Sequence, residues 1–122
     1  MASLREKILA VADIPKQLVA IPEWDCEVEV RGLTAKARAA ILNKAIGANG
    51  KTDFEKFNTL LVIYSAYDPD TGAQVFADTD FAVLGHKSSK ATQRIIDIAT
   101  ELSGITGSSE ADAAGNSEST LS

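Results

Sequence analysis

Cysteine, histidine and tryptophan are nearly missing from this chain. Its 122 residues include one of each: Cys26, His86 and Trp24. A lone cysteine cannot close an internal disulfide, and one thiol suits a reducing compartment. A lone histidine with scattered carboxylates is a poor ligand set for a transition metal. Basic residues are also in short supply: 12 Lys and Arg stand against 17 Asp and Glu, for a formal net charge of -5. That balance argues against a protein that grips nucleic acid through its phosphates. No apolar run approaches the roughly 18–20 residues that span a bilayer. The opening Met1–Glu6 lacks the basic-then-apolar pattern of a secretion signal. These absences lead to the expectation of a soluble, intracellular protein with no nucleic-acid or membrane partner.

What is present suits one small domain. Hydrophobic residues make up 45% of the chain, ordinary for a globular protein and too many for overall disorder. The acidity is uneven. Residues 1–50 carry seven basic and six acidic side chains, residues 51–106 carry five and eight, and residues 107–122 carry none and three. That last stretch holds one large apolar residue, Leu121, and cannot bury enough surface to offset the entropy of ordering. A globular domain over residues 1–106 and a disordered polar tail over 107–122 are expected.

Ser3-Leu4-Arg5-Glu6 is a capping box, and Leu4, Ile8, Val11 and Ala12 follow at helical spacing, so a short amphipathic helix is expected up to about Ala12. Pro15 discourages helix at Ile14. Gln17–Ile21 is short and β-prone, Pro22–Asp25 reads as a turn, and Cys26–Arg31 alternates apolar with charged. The pair reads as a β-hairpin with Cys26, Val28 and Val30 on its apolar face. Thr34 is a candidate N-cap for a helix over Ala35 to Ala45 or Ile46, with Ala37, Ile41, Leu42 and Ala45 on one face. Thr52-Asp53-Phe54-Glu55 is a second capping box, and Phe54, Phe57, Leu60, Leu61 and Tyr64 recur on one helical face. Leu61–Tyr64 is also readable as a buried strand, because β-branched residues cluster there. The capping box and the phenylalanine spacing favour helix.

Asp68-Pro69-Asp70-Thr71-Gly72 then reverses the chain. Gln74–Phe76 is a short extended piece. Asp78 or Thr79 caps a short helix to Leu84, and Gly85 stops it. Ser88 or Ser89 caps a last helix with Ala91, Ile95, Ile98, Ala99 and Leu102 as its buried stripe, and Gly104 ends it. The fold class is α+β: a mostly helical small domain with one N-terminal β-hairpin and a disordered C-terminal tail.

Each candidate chemistry has a plainer reading beside it. Asp68–Gly72 opens like a calcium loop, but the glycine required at the sixth position is Ala73 and the glutamate required at the twelfth is Thr79, so turn chemistry accounts for it. His86 with Asp78 and Asp80 is a weak metal set beside a solvated loop histidine. Cys26 with His86 is a formal nucleophile and base, but Cys26 fits the hairpin's apolar face as a small hydrophobe. Gly50-Lys51-Thr52 imitates the end of a phosphate loop whose first glycine is missing, being Ala45. Trp24 and Tyr67 are candidate contact anchors, although Trp24 serves equally as cover for the hairpin core. No catalytic, cofactor-binding or metal residue is assigned.

In order and spacing, Val19-Ala20-Ile21-Pro22-Glu23-Trp24 followed by Val28-Glu29-Val30-Arg31-Gly32-Leu33-Thr34 resembles tail assembly chaperones of long-tailed, siphovirus-type bacteriophages. So do Leu60–Tyr64, Asp68–Gly72, Val75-Phe76, Asp78-Thr79-Asp80, Leu84–Ser88 and Leu102–Thr106. The resemblance covers about residues 13–106 and departs at Gly47–Lys51. It implies a non-enzymatic chaperone, needing no cofactor, that binds tape measure protein, keeps it soluble and helps recruit tail tube subunits. It also implies self-association, a place in the host cytoplasm and absence from the finished virion. The alternative is a minor structural tail or connector protein. Such a chaperone needs an accessible apolar groove, expected on the central and last helices and read by a helical client.

Overall fold

A computed structural model describes residues 3–105, and the expected tail over 107–122 lies outside them. Helix α1 spans Leu4–Ala10. Ser3 Oγ accepts the Glu6 N–H at 3.1 Å while Glu6 Oε1 accepts the Ser3 N–H at 2.9 Å, so the capping box forms as expected. The helix stops at Ala10, two residues short of Ala12, where Val11 turns extended.

Strands β1 (Lys16–Ile21) and β2 (Cys26–Arg31) make the expected antiparallel hairpin, with Val19 opposite Val28 and Ile21 opposite Cys26. A 3-10 turn at Pro22–Trp24 joins them and closes on Asp25 in the left-handed region, which Asp tolerates. Val28 and Val30 are buried as expected. Cys26, the first residue of the strand, is exposed even though Ile21 opposite it is fully buried. Its expected role as a small core hydrophobe is therefore corrected.

Helix α2 (Ala35–Lys44) begins at Thr34, whose Oγ1 accepts the Ala37 N–H at 3.0 Å. Helix α3 (Phe54–Ser65) settles the ambiguity at Leu61–Tyr64 in favour of helix. Its cap is Asp53, one residue after the expected Thr52: the Asp53 carboxylate accepts the Glu55 and Lys56 N–H groups. Thr52 is instead held in a bridge with Ile46 across the loop. The helix is the centre of the fold. Phe57, Leu60, Leu61, Val62 and Ile63 are all buried, so it carries apolar residues on more than one face, as a helix with neighbours on several sides must.

The single expected hairpin becomes a three-stranded sheet. Directly after α3, β3 (Ala66–Tyr67) pairs antiparallel with β2, giving the order β1-β2-β3. The Asp68–Gly72 turn follows. Asp68 Oδ1 accepts the Asp70 N–H at 2.8 Å, and Gly72 takes a φ of 76°, which glycine adopts without a Cβ penalty. Gln74 then bridges back to Tyr67.

A 3-10 turn at Asp78–Asp80 leads into α4 (Phe81–Leu84). Neither Asp78 nor Thr79 caps it. Asp80 stands at the cap position of α4 without a side-chain bond to it, and its carboxylate instead accepts the N–H of Ala77, the cap of the 3-10 turn, at 2.8 Å.

Helix α5 (Ser89–Leu102) is capped by Ser88 and lies on the sheet and α3, burying Ala91, Ile95 and Ala99. It ends in a Schellman motif. Gly104, at φ 71°, donates to Glu101 O, and Ile105 donates to Thr100 O at 2.9 Å. That turn brings Ile105 back into the core at 4% exposure.

Candidate functional site

The surface feature with the best claim to a function is the seam between α3 and α5. At one end Phe54, Phe57 and Asn58 of α3 face Ile96, Asp97 and Thr100 of α5, with Ile105 below, around an open volume of about 390 Å³. Asn58, Gln93 and Ile96 are shared with a second hollow of about 240 Å³ that runs on to Val62, Leu84 and Lys87. The caps explain the geometry. Asp53 starts α3 at the same end where Gly104 turns Ile105 inward, so Phe54 is left 42% exposed at the mouth. Asp97 is the one charged side chain lining that larger end, and its Oδ1 accepts from Gln93 Nε2 at 2.7 Å.

Polar clamps fix the walls. Arg94 of α5 holds Glu23 of the hairpin turn through two bonds, Nε to Oε1 at 2.9 Å and Nη2 to Oε2 at 3.0 Å. The paired guanidinium holds the Glu23 carboxyl below the usual carboxylate range. On the far side of α3, Lys44 donates to Asp78 at 2.6 Å and to the Tyr64 hydroxyl, tying α2, α3 and the Asp78–Asp80 turn together. Those partners, Asp78 first, push the Lys44 ammonium up to about 12. Leu33 N–H donates to Ser103 Oγ at 2.9 Å, which anchors the end of α5 to the exit of β2. An apolar floor with a polar rim and fixed walls suits the burial of an apolar helix face.

No protein-family model matches the sequence, and no curated protein matches it significantly. The solved structures do contain a counterpart. The chain aligns with "Structure of bacteriophage HK97 tail assembly chaperone" at a TM-score of 0.61 and 18% identity, over 84% of this chain and 95% of that one. This chain shares its fold with that chaperone. At 18% identity the likeness is one of architecture.

The residues singled out from sequence do not converge on a reaction centre. His86 is exposed after α4, and its N–H donates to Val83 O. Asp78 is engaged by Lys44, and Asp80 by the Ala77 N–H. Among the described residues, no three His, Cys, Asp or Glu side chains gather where they could hold a metal ion. Around Gly50-Lys51-Thr52 the backbone donors are spent internally: Gly47 N–H on Lys51 O, Gly50 N–H on Gly47 O, and Lys51 N–H on Asn49 Oδ1. Those three N–H groups are therefore not free to cradle a phosphate.

Trp24 is half-buried edge-on to Phe76 at 6.2 Å and packs on the core. Tyr67 lies under the Arg31 guanidinium at 4.0 Å. Both act within the fold, which favours the covering reading of Trp24. The groove residues Asn58, Gln93 and Ile96 escaped the sequence reading. Their one signal was that α5 keeps Ile96 outside the Ala91-Ile95-Ala99 stripe.

Proposed function

We propose that this chain is a phage tail assembly chaperone that binds tape measure protein in the α3–α5 groove. In this reading it keeps that long helical protein soluble and helps recruit tail tube subunits around it. The shared fold, over 95% of the HK97 chaperone's length, carries the reading. The groove supports it, because an apolar seam with Phe54 at its mouth suits the i, i+3, i+4, i+7 face of a client helix. Among the described residues, no helix is long and apolar enough to cross a membrane. The proposed setting is the host cytoplasm, with the chaperone absent from the finished virion.

Co-expression with the protein encoded just downstream tests this. A long helical neighbour should become soluble only with this chain and co-purify with it. Ile96→Glu in the groove should abolish that effect while leaving the circular dichroism spectrum intact. A neighbour that is soluble alone and does not bind rules out the role. Recovery of this chain from purified particles would point to a structural tail or connector protein.

A further inference from the structure

Two hollows bounded by the sheet, α2 and α3 join into one trough. The first, about 330 Å³, is lined by Lys16 of β1, Arg31 and Gly32 at the exit of β2, and Tyr64 and Tyr67. The second, about 270 Å³, shares Thr34, Ala37 and both tyrosines with it and adds Lys36 of α2. The trough shares no lining residue with the α3–α5 groove. Its charge is unlike that of the whole chain. The net charge is -5, yet three cations and no carboxylate line this trough. Lys16 and Arg31 stand directly opposite in the β1–β2 register, a like-charge pair that costs stability when nothing answers it. Glu29 answers Arg31 through one bond at 2.8 Å, to one of the five donors of the guanidinium. Among the described residues, neither Lys16 nor Lys36 has an ion pair.

The chain itself supplies an acidic segment beside this trough. The end of α5 closes on its rim: Leu102 O lies 2.8 Å from where a Cβ on Gly32 would stand, and Ser103 Oγ accepts the Leu33 N–H at 2.9 Å. Residues 107–122 follow within a few residues of that contact. They carry Glu110, Asp112 and Glu118 and no basic side chain. Glu110 is five residues past Ile105, a reach of up to roughly 17 Å. So short a tether holds the segment at an effective concentration in the millimolar range, where individually weak ion pairs suffice for contact. We propose that residues 107–122 dock in the trough of their own chain, with the three carboxylates meeting Lys16, Arg31 and Lys36. The segment has too little apolar surface to build a core, so charge rather than packing holds it, and salt weakens the contact. Docked there, it closes a basic trough that outside acidic chains would otherwise enter. The contact makes no use of the α3–α5 groove and stands whether or not the chain binds tape measure protein.

A nitroxide attached at Ala113→Cys in the full chain, with Cys26→Ser, tests the contact through the broadening of backbone amide signals. At low salt the amides of Lys16, Thr34 and Ala37 should broaden. Dilution should not change the effect, because the contact lies within one chain. Raising NaCl from about 0.02 M to about 0.5 M should remove most of it. Lys16→Glu with Lys36→Glu should do the same at low salt, and the thermal melt should match the parent because both side chains are exposed. Adding Glu110→Lys and Asp112→Lys to that variant should restore the broadening. Broadening that is absent, that ignores both salt and the charge reversals, or that grows with protein concentration overturns the proposal. Added poly-glutamate that shifts these amides while the label leaves them sharp would assign the trough to an outside acidic segment, and would equally sink it.

Discussion

Gly32 sits where the exit of β2 meets the end of α5, and Gly32→Ala probes how rigid that junction is. A Cβ built there would lie 2.8 Å from Leu102 O, 3.2 Å from Pro15 Cδ and 3.3 Å from the Leu102 carbonyl carbon. Two of those atoms are backbone and the third is a ring, so no flexible side chain can swing away. The Gly32 N–H also donates to Pro15 O at 2.8 Å, and the next N–H, of Leu33, is committed to Ser103 Oγ. Relief therefore requires moving the α5 terminus or breaking this clasp. Overpacking of this kind costs about 1–3 kcal/mol. The φ of Gly32 is not left-handed, so alanine returns about 0.4–1 kcal/mol by restricting the unfolded chain. The net loss should be about 1–2 kcal/mol, a drop of several degrees in melting temperature for a domain of this size. Urea unfolding should show a lower midpoint with an unchanged slope. Because Ile105 lies just beyond this junction, groove binding should weaken as well. An unchanged or raised midpoint would refute the reasoning, showing that the α5 end yields freely and is no fixed wall.

Other changes separate the causes. Asp53→Ala removes both N-terminal bonds of α3 and should cost about 1 kcal/mol, read by urea unfolding. Gly72→Ala meets only Arg31 Nη2 at 3.8 Å, so its cost of about 1–2 kcal/mol is conformational, from the φ of 76°. Asn at the same position should recover part of it. Lys44→Met should lower the melting temperature in a pH-dependent way. Lys44 is raised from 10.5 to about 12, so its contribution is whole below 10.5 and fades as pH rises through about 12. Asp78 is lowered from 3.8 by the same bond, so its contribution is whole above 3.8 and fades as pH falls through the lower folded value. The gap between parent and variant should be flat between 3.8 and 10.5 and close at both extremes. A gap that persists above pH 12 would mean that the neutral amine still bonds Asp78 and Tyr64, since methionine keeps an apolar stem of similar length.

Local chemistry was legible wherever one side chain settles one backbone bond. Ser3, Thr34 and Ser88 cap the helices that they were expected to cap, and Gly104 closes α5, because each signal depends on neighbours within a turn. Thr52 failed for the same kind of reason: Asp53 stood next to it as an equally good acceptor, and the bridge between Ile46 and Thr52 decided between them. Strand β3 was hidden because Ala66-Tyr67 is two residues long and follows α3 with no breaker, so its pairing with Glu29 and Val30 is purely tertiary. The groove was legible as an expectation about the central and last helices. Its residues were not, since a partly exposed Ile96 and a buried Ile95 are adjacent letters whose fates depend on where α3 lies.

Helices α3 and α1 show what periodicity leaves open. Helix α3 shows apolar residues on more faces than a surface helix needs, and the fold gives each face a neighbour: α2, α4 and α5. Helix α1 shows a proper amphipathic stripe, and within one copy nothing packs on it. An apolar stripe predicts burial but not by what. For α3 the cover lies in the same chain, which makes it the rigid wall of a groove. For α1 the fold leaves the stripe exposed.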